Sequence, residues 1–212
     1  MTSNFITISK NGTHELEIKK SRFIATAFRI QNETDALNFI DQIKLNHRKA
    51  NHHCFAYMIG NDNYIQRASD DGEPSGTAGV PILEVLQKKN VHNVLVVITR
   101  YFGGIKLGAG GLIRAYSNST SQVLDEIGLV ERIEQTTLVL TIDYSQYDPV
   151  THWLSTHDLI VQNTQYAEKI TITIPVITEH IEQFKQNITN LLNGHVTFQT
   201  TGKQFNEVPV KK

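Results

Sequence analysis

The chain has 212 residues, and its 20 lysines and arginines nearly balance 21 aspartates and glutamates, which gives a formal net charge of -1 at pH 7. This balance excludes a global attraction to nucleic acid or membranes, so an anion-binding site must be local. One cysteine, no leader pattern and no membrane-spanning apolar run lead us to expect a cytoplasmic protein without a membrane partner, built as one large domain or two small ones.

The first thirty residues predict a β-hairpin. Residues 5–9 and 14–30 are rich in β-branched and aromatic side chains, and Asn11-Gly12 between them is a strong turn dipeptide. We expect these two segments to pair with each other.

The next segment predicts a helix followed by two strands. Apolar residues recur with a period of 3.6 over residues 34–47, and Asn32 or Thr34 is a suitable N-cap. Strands are predicted at 53–60 and 64–69. The helix face expected to be buried contains Ala36, Phe39, Ile40 and Ile43.

Two helices flank an apolar strand in the middle of the chain. Residues 94–101 form a continuous apolar run, which is typical of a strand covered on both faces. The preceding helix, at 78–90, has Pro81 in its first turn, and Gly128 ends the following one. Their expected inner faces are Val80, Leu83 and Leu86 in the first helix, and Leu112, Ile113, Tyr116, Val123, Leu124 and Ile127 in the second.

From about residue 135 the pattern restarts with fewer glycines. Strand and helix signals follow in the order β-α-β-β-α-β, which is the ferredoxin-like order. The sequence therefore predicts two domains, residues 1–134 and 135–212.

The most polar segment is SDDGEPSGTAGVP, residues 69–81. Its carboxylates are hard oxygen ligands for a divalent metal, but the register of a calcium loop is missing, and its serine comes one position late for a nucleophile elbow. The alternative is an ordered turn whose Asp and Ser side chains bond its own amides. We predict neither a metal nor a catalytic residue here, and assign to a conformational or ligand loop Asp70, Asp71, Glu73, Ser75, Gly76 and Thr77.

A glycine-rich segment, RYFGGIKLGAGGLIRAY at residues 100–116, joins the apolar strand to the following helix. Such a junction exposes backbone amides at a helix N-terminus, where proteins bind anions. The segment is neither a Walker motif nor a dinucleotide fingerprint, and close strand-helix packing is the alternative use of its glycines. The glycines assigned to the same ligand loop are Gly103, Gly104, Gly108, Gly110 and Gly111.

Basic residues near these segments complete a candidate surface for phosphate or nucleic acid. Arginine suits bidentate contacts to phosphate, and a tyrosine beside it could stack on a base. Two of the cations fall in KKSRF, which we expect on one strand, where a solvated face is the alternative interpretation. The predicted binding residues are Lys20, Arg22, Arg100, Tyr101, Lys106 and Arg114.

A cluster of His47, His52, His53 and Cys54 invites a zinc-site interpretation. Successive residues of a strand point to opposite faces, so at most two of these side chains converge. We predict ordinary histidines at strand and helix ends, and no cofactor.

Four segments together resemble the IMPACT family, in particular its bacterial YigZ and YvyE-type members. They are KKSRFIA, ANHHCFAY, SDDGEPSGTAGVPIL and VVITRYFGGIKLGAGGLIRAY, and the last two are long and ordered. Besides the residues already assigned, the matching positions include Ser21, His53, Gly72 and Leu107. The resemblance is strong over about residues 1–130, and the order of elements in the rest is similar to that of bacterial members.

The resemblance implies an α+β fold made of two α/β sandwich domains. The family's N-terminal domain is similar to domain IV of elongation factor G, a ribosomal-protein-like fold, and its C-terminal domain is ferredoxin-like and similar to domain V of that factor. Eukaryotic members act in translational control through a protein partner, with the help of an additional N-terminal domain that this chain lacks. The implied role is therefore a regulator of translation or a binding protein for RNA or the ribosome.

Two functional hypotheses follow. In the first, the N-terminal domain contacts RNA or a ribosomal surface through its basic residues, and a protein partner in translation control is a further expectation. In the second, the glycine-rich loop holds a nucleotide or another small phosphoanion, and Asp70, Asp71 or Glu73 serves an enzyme as metal ligand or base. The carboxylates discriminate between them, because an RNA-binding surface needs them only as partners of its cations.

Overall fold

The computed structural model describes residues 4–60 and 62–210, which form an α+β protein of two compact units. The first unit comprises Phe5–Glu131 with residues 208–210, and the second comprises Arg132–Glu207 with Asn4. The predicted fold class is confirmed. No helix in this described part of the chain is long and apolar enough to cross a membrane.

The first unit is built on a five-stranded sheet. Its elements in chain order are β1 (Phe5–Ile8), β2 (Gly12–Ile18), β3 (Ser21–Arg29), α1 (Glu33–Asn46), β4 (His52–Ile59), β5 (Ile65–Ser69), α2 (Gly79–Lys88), β6 (Val94–Tyr101) and α3 (Ala109–Ile127). The strand order of this sheet is β2-β3-β6-β4-β5, and every neighbouring pair is antiparallel. This order places β6 at the centre of the sheet.

Both faces of this sheet are covered, as the apolar composition of β6 predicts. Val96 and Ile98 belong to a core shared with α2 and α3, whereas Leu95 and Val97 belong to a second core under α1. The alternation of side chains along the strand separates these two sets.

The predicted hairpin at Asn11-Gly12 is wrong. Gly12 already lies opposite Ala27 in the ladder between β2 and β3, and the two strands turn at Lys19 and Lys20, whose φ angles are 47° and 64°. Positive φ at both turn residues is the geometry of a tight two-residue hairpin, which matches the twist of the strands. Lys20 therefore lies in a turn and not on a strand, because strand pairing over seven residues outweighs a local turn preference.

The helix predictions hold in their positions and partly in their faces. Asn32 caps α1 by accepting a hydrogen bond from the amide of Asp35, and Gly128 ends α3 with a φ of 77°. Val80 and Ile113, however, are exposed, in contrast to the prediction. In α2 the buried face includes Gly79 and Ile82 instead, because the helix begins hard against the backbone of β5, where only a glycine fits.

The second unit has the order of elements predicted from the sequence. They are β7 (Leu129–Ile142), α4 (Tyr147–Thr156), β8 (Asn163–Tyr166), β9 (Ile170–Ile177), α5 (Ile181–Leu191) and β10 (Thr197–Pro209), and the first residues of β7 still belong to the first unit. Strand β9 lies between β7 and β8, and β10 pairs with the other side of β7. The order β10-β7-β9-β8 is that of a ferredoxin-like sheet, with apolar faces of α4 and α5 packed on it.

Candidate anion site at the start of helix α3

The floor of the site is a buried ion pair at the end of β6. The side chains of Arg100 and Glu73 are 6% and 3% exposed, and the guanidinium Nη1 donates to Oε1 of the carboxylate over 2.6 Å. The hydroxyl of Tyr116 donates to the same oxygen over 2.8 Å. Two donors on one oxygen offset much of the cost of burying this carboxylate, and they tie the loop, the central strand and α3 together.

One donor of Arg100 is left without a partner. Its Nη2 lies 3.4 Å from Oγ of Ser21, and its guanidinium carbon lies 5.3 Å and 5.5 Å from the ring centres of Phe23 and Phe102. Its Nε is buried and has no hydrogen-bond acceptor among the described residues. A buried donor without an acceptor costs about 1–3 kcal/mol of stability. The folded protein bears this cost at Nε of Arg100.

The loop at residues 69–81 is organised by Asp70. Its carboxylate accepts hydrogen bonds from the amides of Gly76, Ala78 and Gly79, over 2.8, 3.0 and 2.8 Å. Helix α2 has no side-chain cap of its own at Ala78, so Asp70 satisfies its first amides. Burial opposes ionisation of Asp70, but the three amides together outweigh burial and hold the pKa of this carboxyl below its ordinary value. Asp70 therefore acts as expected for an ordered turn, in which an aspartate side chain bonds the backbone amides of its own loop.

The carboxylate of Asp71 contacts residues of β4 and α1. It has a φ of 41°, and its Oδ2 accepts from the amide of His53 over 2.6 Å. Nδ1 of His53 and Nζ of Lys44 lie 3.7 and 3.6 Å from its two oxygens. Burial lowers the pKa of His53 despite the attraction of Asp71.

The rest of the loop packs locally. Thr77 is buried and its hydroxyl donates to the carbonyl of Pro74 over 2.6 Å, while Ser75 and Gly76 are exposed. Cys54, beneath the loop, lies 2.9 Å from the carbonyl oxygen of Asp70, and burial raises the pKa of its thiol to about 12. In the part of the chain that the structure describes, no group of three His, Cys, Asp or Glu side chains is placed to hold a metal ion.

The glycine-rich segment shapes the entrance to α3. Gly103 packs so tightly on the backbone of Lys20 that a Cβ would overlap its carbonyl group, whereas a Cβ on Gly104, Gly108 or Gly110 would meet nothing within 4 Å. Gly104 and Gly108 have φ angles of 85° and 72°. The segment thus uses glycine in two ways, for close packing at Gly103 and for an open backbone nearer the helix.

Helix α3 begins without a side-chain cap. Gly108 precedes it and provides no side chain, and its first turn carries no acidic residue. The first amides of a helix lack intrahelical acceptors and carry the positive end of the helix dipole. A cavity of about 360 Å³ lies at this helix start, where Gly108 and Ala109 line it together with Glu73, Arg100, Phe102 and Lys106. Lys106 is exposed at this cavity. The cavity therefore combines the start of a helix, the buried guanidinium of Arg100 and the exposed ammonium group of Lys106.

The structure separates the predicted binding residues into groups. Arg100 and Lys106 line the cavity with Gly108, whereas Arg22 and Tyr101 lie on the opposite face of the sheet. There Arg22 donates to both oxygens of Glu15, over 2.7 and 3.0 Å, and its guanidinium lies 5.4 Å from the ring centre of Tyr101.

Two other predicted cations are exposed elsewhere in the first unit. Arg114 is on α3 but does not line the cavity, and Lys20 is in the turn against which Gly103 packs. Strand alternation already implies that Arg100 and Tyr101 point to opposite faces. The contact of the Tyr116 hydroxyl with Glu73, by contrast, does not follow from the sequence, which predicts Tyr116 only on the inner face of α3.

Comparisons with known proteins agree with this architecture. The family model for the Impact N-terminal domain matches residues 19–124, and the model for a domain of unknown function (DUF1949) matches residues 140–195. The IMPACT family member YvyE of Bacillus subtilis is 43% identical over 92% of this chain and 89% of its own length. The family member YigZ of Escherichia coli is 32% identical over 84% of this chain and 88% of its own.

More distant and structural matches agree as well. A protein IMPACT homolog of Schizosaccharomyces pombe is 32% identical over 50% of this chain and 39% of its own length. Among solved structures, one described as the crystal structure of an hypothetical protein is 29% identical, with a TM-score of 0.61 over 95% of this chain and 98% of that one. The resemblance found in the sequence is thereby confirmed.

Proposed function

This chain belongs to the IMPACT family, and we propose that its first unit binds phosphate groups of RNA, as a ribosome-associated protein that acts in translation. The proposal concerns binding and not catalysis. The cavity at the start of α3 is the contact site, and the RNA backbone is the ligand.

The observation that carries the proposal is the uncapped start of α3 beside a buried arginine with an unsatisfied donor. The helix amides at residues 109–111 favour a negatively charged group. Arg100 lines the same cavity, and its Nε lacks an acceptor among the described residues. A phosphate oxygen that accepts from the helix amides would lie beside the guanidinium of Arg100 and be attracted by its charge.

The charge around the cavity supports a phosphodiester. Its lining contains two cations, Arg100 and Lys106, and one carboxylate, Glu73, which is already paired with Arg100. The local charge is therefore positive although the chain as a whole is nearly neutral. Phe102 is 45% exposed at the same cavity and offers a ring face on which a base adjoining the bound phosphate could stack. Phe102 would thus take the stacking role predicted for Tyr101 from the sequence.

The carboxylates of the loop favour this proposal over an enzyme. Asp70 accepts from three backbone amides, Asp71 from the amide of His53, and Glu73 from Arg100 and Tyr116. Each carboxylate is thus occupied in holding the loop. The feature that distinguished the enzyme hypothesis in the sequence has a structural explanation.

Sedimentation with ribosomes over a salt series tests the proposal. We would compare the wild type with Lys106→Ala, which removes the exposed cation at the cavity, and with Lys88→Ala, which removes an exposed cation from the far end of α2. Between about 50 and 200 mM salt, the logarithm of the affinity should fall linearly with the logarithm of salt concentration. We expect Lys106→Ala to reduce this slope by about 1 and Lys88→Ala to leave it unchanged.

Two results would contradict the proposal. One is a wild-type protein that stays in the supernatant at the lowest salt concentration. The other is equal binding by the two lysine variants, because the contact site would then lie away from the cavity.

A further inference from the structure

The second unit contains a cavity that the proposed function does not use. Its volume is about 530 Å³, within the range of small-molecule sites. It lies where the end of α4 and the first turns of α5 meet strands β7 and β9, and all its lining residues belong to Arg132–Glu207. A ligand here would be bound by this unit alone.

The apolar part of the lining is aromatic. The indole of Trp153 stacks on the imidazole of His157, with ring centres 3.9 Å apart and planes at 22°. The ring of Phe184 meets the same indole at 64° over 5.9 Å. Leu159 and Val176 add aliphatic surface. Aromatic and aliphatic walls of this kind favour a flat, partly apolar ligand.

The polar part of the lining consists of three amides, two imidazoles and one carboxylate, from Gln135, Gln183, Asn187, His157, His180 and Asp158. Gln183 donates through Nε2 to Oδ1 of Asn187 over 2.9 Å. This bond leaves the side-chain NH₂ of Asn187 as a donor and the side-chain oxygen of Gln183 as an acceptor, and neither has another partner among the described residues. A paired donor and acceptor match the edge of a heteroaromatic ring that itself carries both.

The charge of the lining argues against an anionic ligand. No lysine or arginine lines the cavity as the structure describes it, and Asp158 contributes a carboxylate. A phosphate would find no strong counter-charge there. The ligand chemistry that fits is therefore planar, heteroaromatic and uncharged.

We propose that this cavity binds an uncharged nucleobase or nucleoside. The ring stacks against the aromatic wall around Trp153, and its polar edge bonds the amides of Gln183 and Asn187. The site is independent of the anion site in the first unit, and its ligand carries no phosphate.

Trp153 makes the test specific to this cavity, because it is the only tryptophan in the chain. Adenosine would be titrated into the full-length protein while tryptophan emission is followed. A ligand of this size in a good site binds with a Kd on the order of 10–100 µM, and stacking near the indole should change its emission saturably. Adenosine 5′-monophosphate serves as the charged counterpart and should bind at least about 5-fold more weakly.

Matched variants on α5 locate the contact. Asn187→Ala removes a lining amide, whereas Asn190→Ala removes the same group one turn along the helix, where it is exposed and does not line the cavity. We expect Asn187→Ala to raise the Kd by about 5- to 10-fold and Asn190→Ala to keep the wild-type Kd. Both variants should have the circular dichroism spectrum of the wild type, which shows that they are folded.

Three results would overturn the proposal. The first is no saturable change of emission with adenosine, and the second is equal affinity of the two asparagine variants. The third is adenosine 5′-monophosphate binding as tightly as adenosine, since this would show that charge does not matter at the site.

Discussion

The buried pair of Glu73 and Arg100 should dominate the stability of the first unit. In Glu73→Ala the guanidinium of Arg100 loses the carboxylate to which it donates, and the hydroxyl of Tyr116 loses its acceptor. Neither group can turn to water without moving, since Arg100 is 5% exposed and Tyr116 is fully buried. The substitution therefore leaves a buried charge uncompensated.

The size of the effect follows from this burial. Removing one partner of a buried ion pair costs about 3–5 kcal/mol in free energy of unfolding. With a urea dependence of about 2 kcal/mol per molar, the unfolding midpoint should fall by about 2 M. The matched control is Glu15→Ala, which breaks the pair of Glu15 with Arg22. Those side chains are 47% and 50% exposed, so the control should cost less than about 1 kcal/mol.

Urea unfolding followed by two signals measures the effect. Circular dichroism reports the whole chain, and the emission of Trp153 reports the second unit, so their comparison separates the transitions of the two units. Glu73→Gln keeps an acceptor oxygen and should lose less stability than Glu73→Ala. If Glu73→Ala unfolds at the midpoint of Glu15→Ala, the ion pair does not hold the loop to the central strand and the account of the site's floor is wrong.

Three further predictions concern the glycines, Cys54 and the loop. Gly103→Ala should lower the free energy of unfolding by at least about 2 kcal/mol, because its methyl group overlaps the backbone of Lys20. Gly110→Ala, in the open first turn of α3, should instead raise the free energy of unfolding by about 0.5–1 kcal/mol, and urea midpoints distinguish the two variants. Cys54, whose thiol pKa is raised to about 12, should react with a thiol reagent near pH 8 at least about 100-fold more slowly in native protein than in urea, and comparable rates would refute its burial. Because the folded pKa of Asp70 is lowered, its contribution is fully present above the ordinary value of 3.8 and is lost as pH falls through the folded pKa. Asp70→Asn should therefore weaken the acid dependence of the urea midpoint and cost about 1–2 kcal/mol at neutral pH, and an unchanged acid profile would contradict the capping role.

Sequence patterns predicted the elements of the fold where one strong signal decides the structure. The apolar run at residues 94–101 is the central strand, Asn32 is the helix cap, and Gly128 ends α3. The hairpin failed because Asn11-Gly12 is a local signal, while the strand pairing that places the turn at Lys19 and Lys20 is set by side chains far apart in the chain. Val80 was misplaced for a similar reason, since the start of α2 is fixed by packing on β5.

The sequence predicted several residues of the candidate site, but it predicted less of how their side chains are arranged in space. The glycines and Arg100 were identified because that junction of strand and helix has a characteristic chemistry. The separation of Tyr101 from Arg100 follows from strand alternation and was available from the sequence. The contact of Tyr116 with Glu73 was not, because no local pattern shows which buried hydroxyl faces which carboxylate.

The most direct test of the central claim is to observe the amides of α3 while RNA binds. In a ¹H–¹⁵N correlation spectrum of the full chain, titration with a short single-stranded RNA should shift the amide signals of Ala109, Gly110 and Gly111 most strongly, together with that of Lys106, and added salt should reverse the shifts. Unchanged signals for residues 109–111 at saturating RNA, or shifts confined to the face that carries Arg22 and Tyr101, would contradict the assignment of the phosphate site.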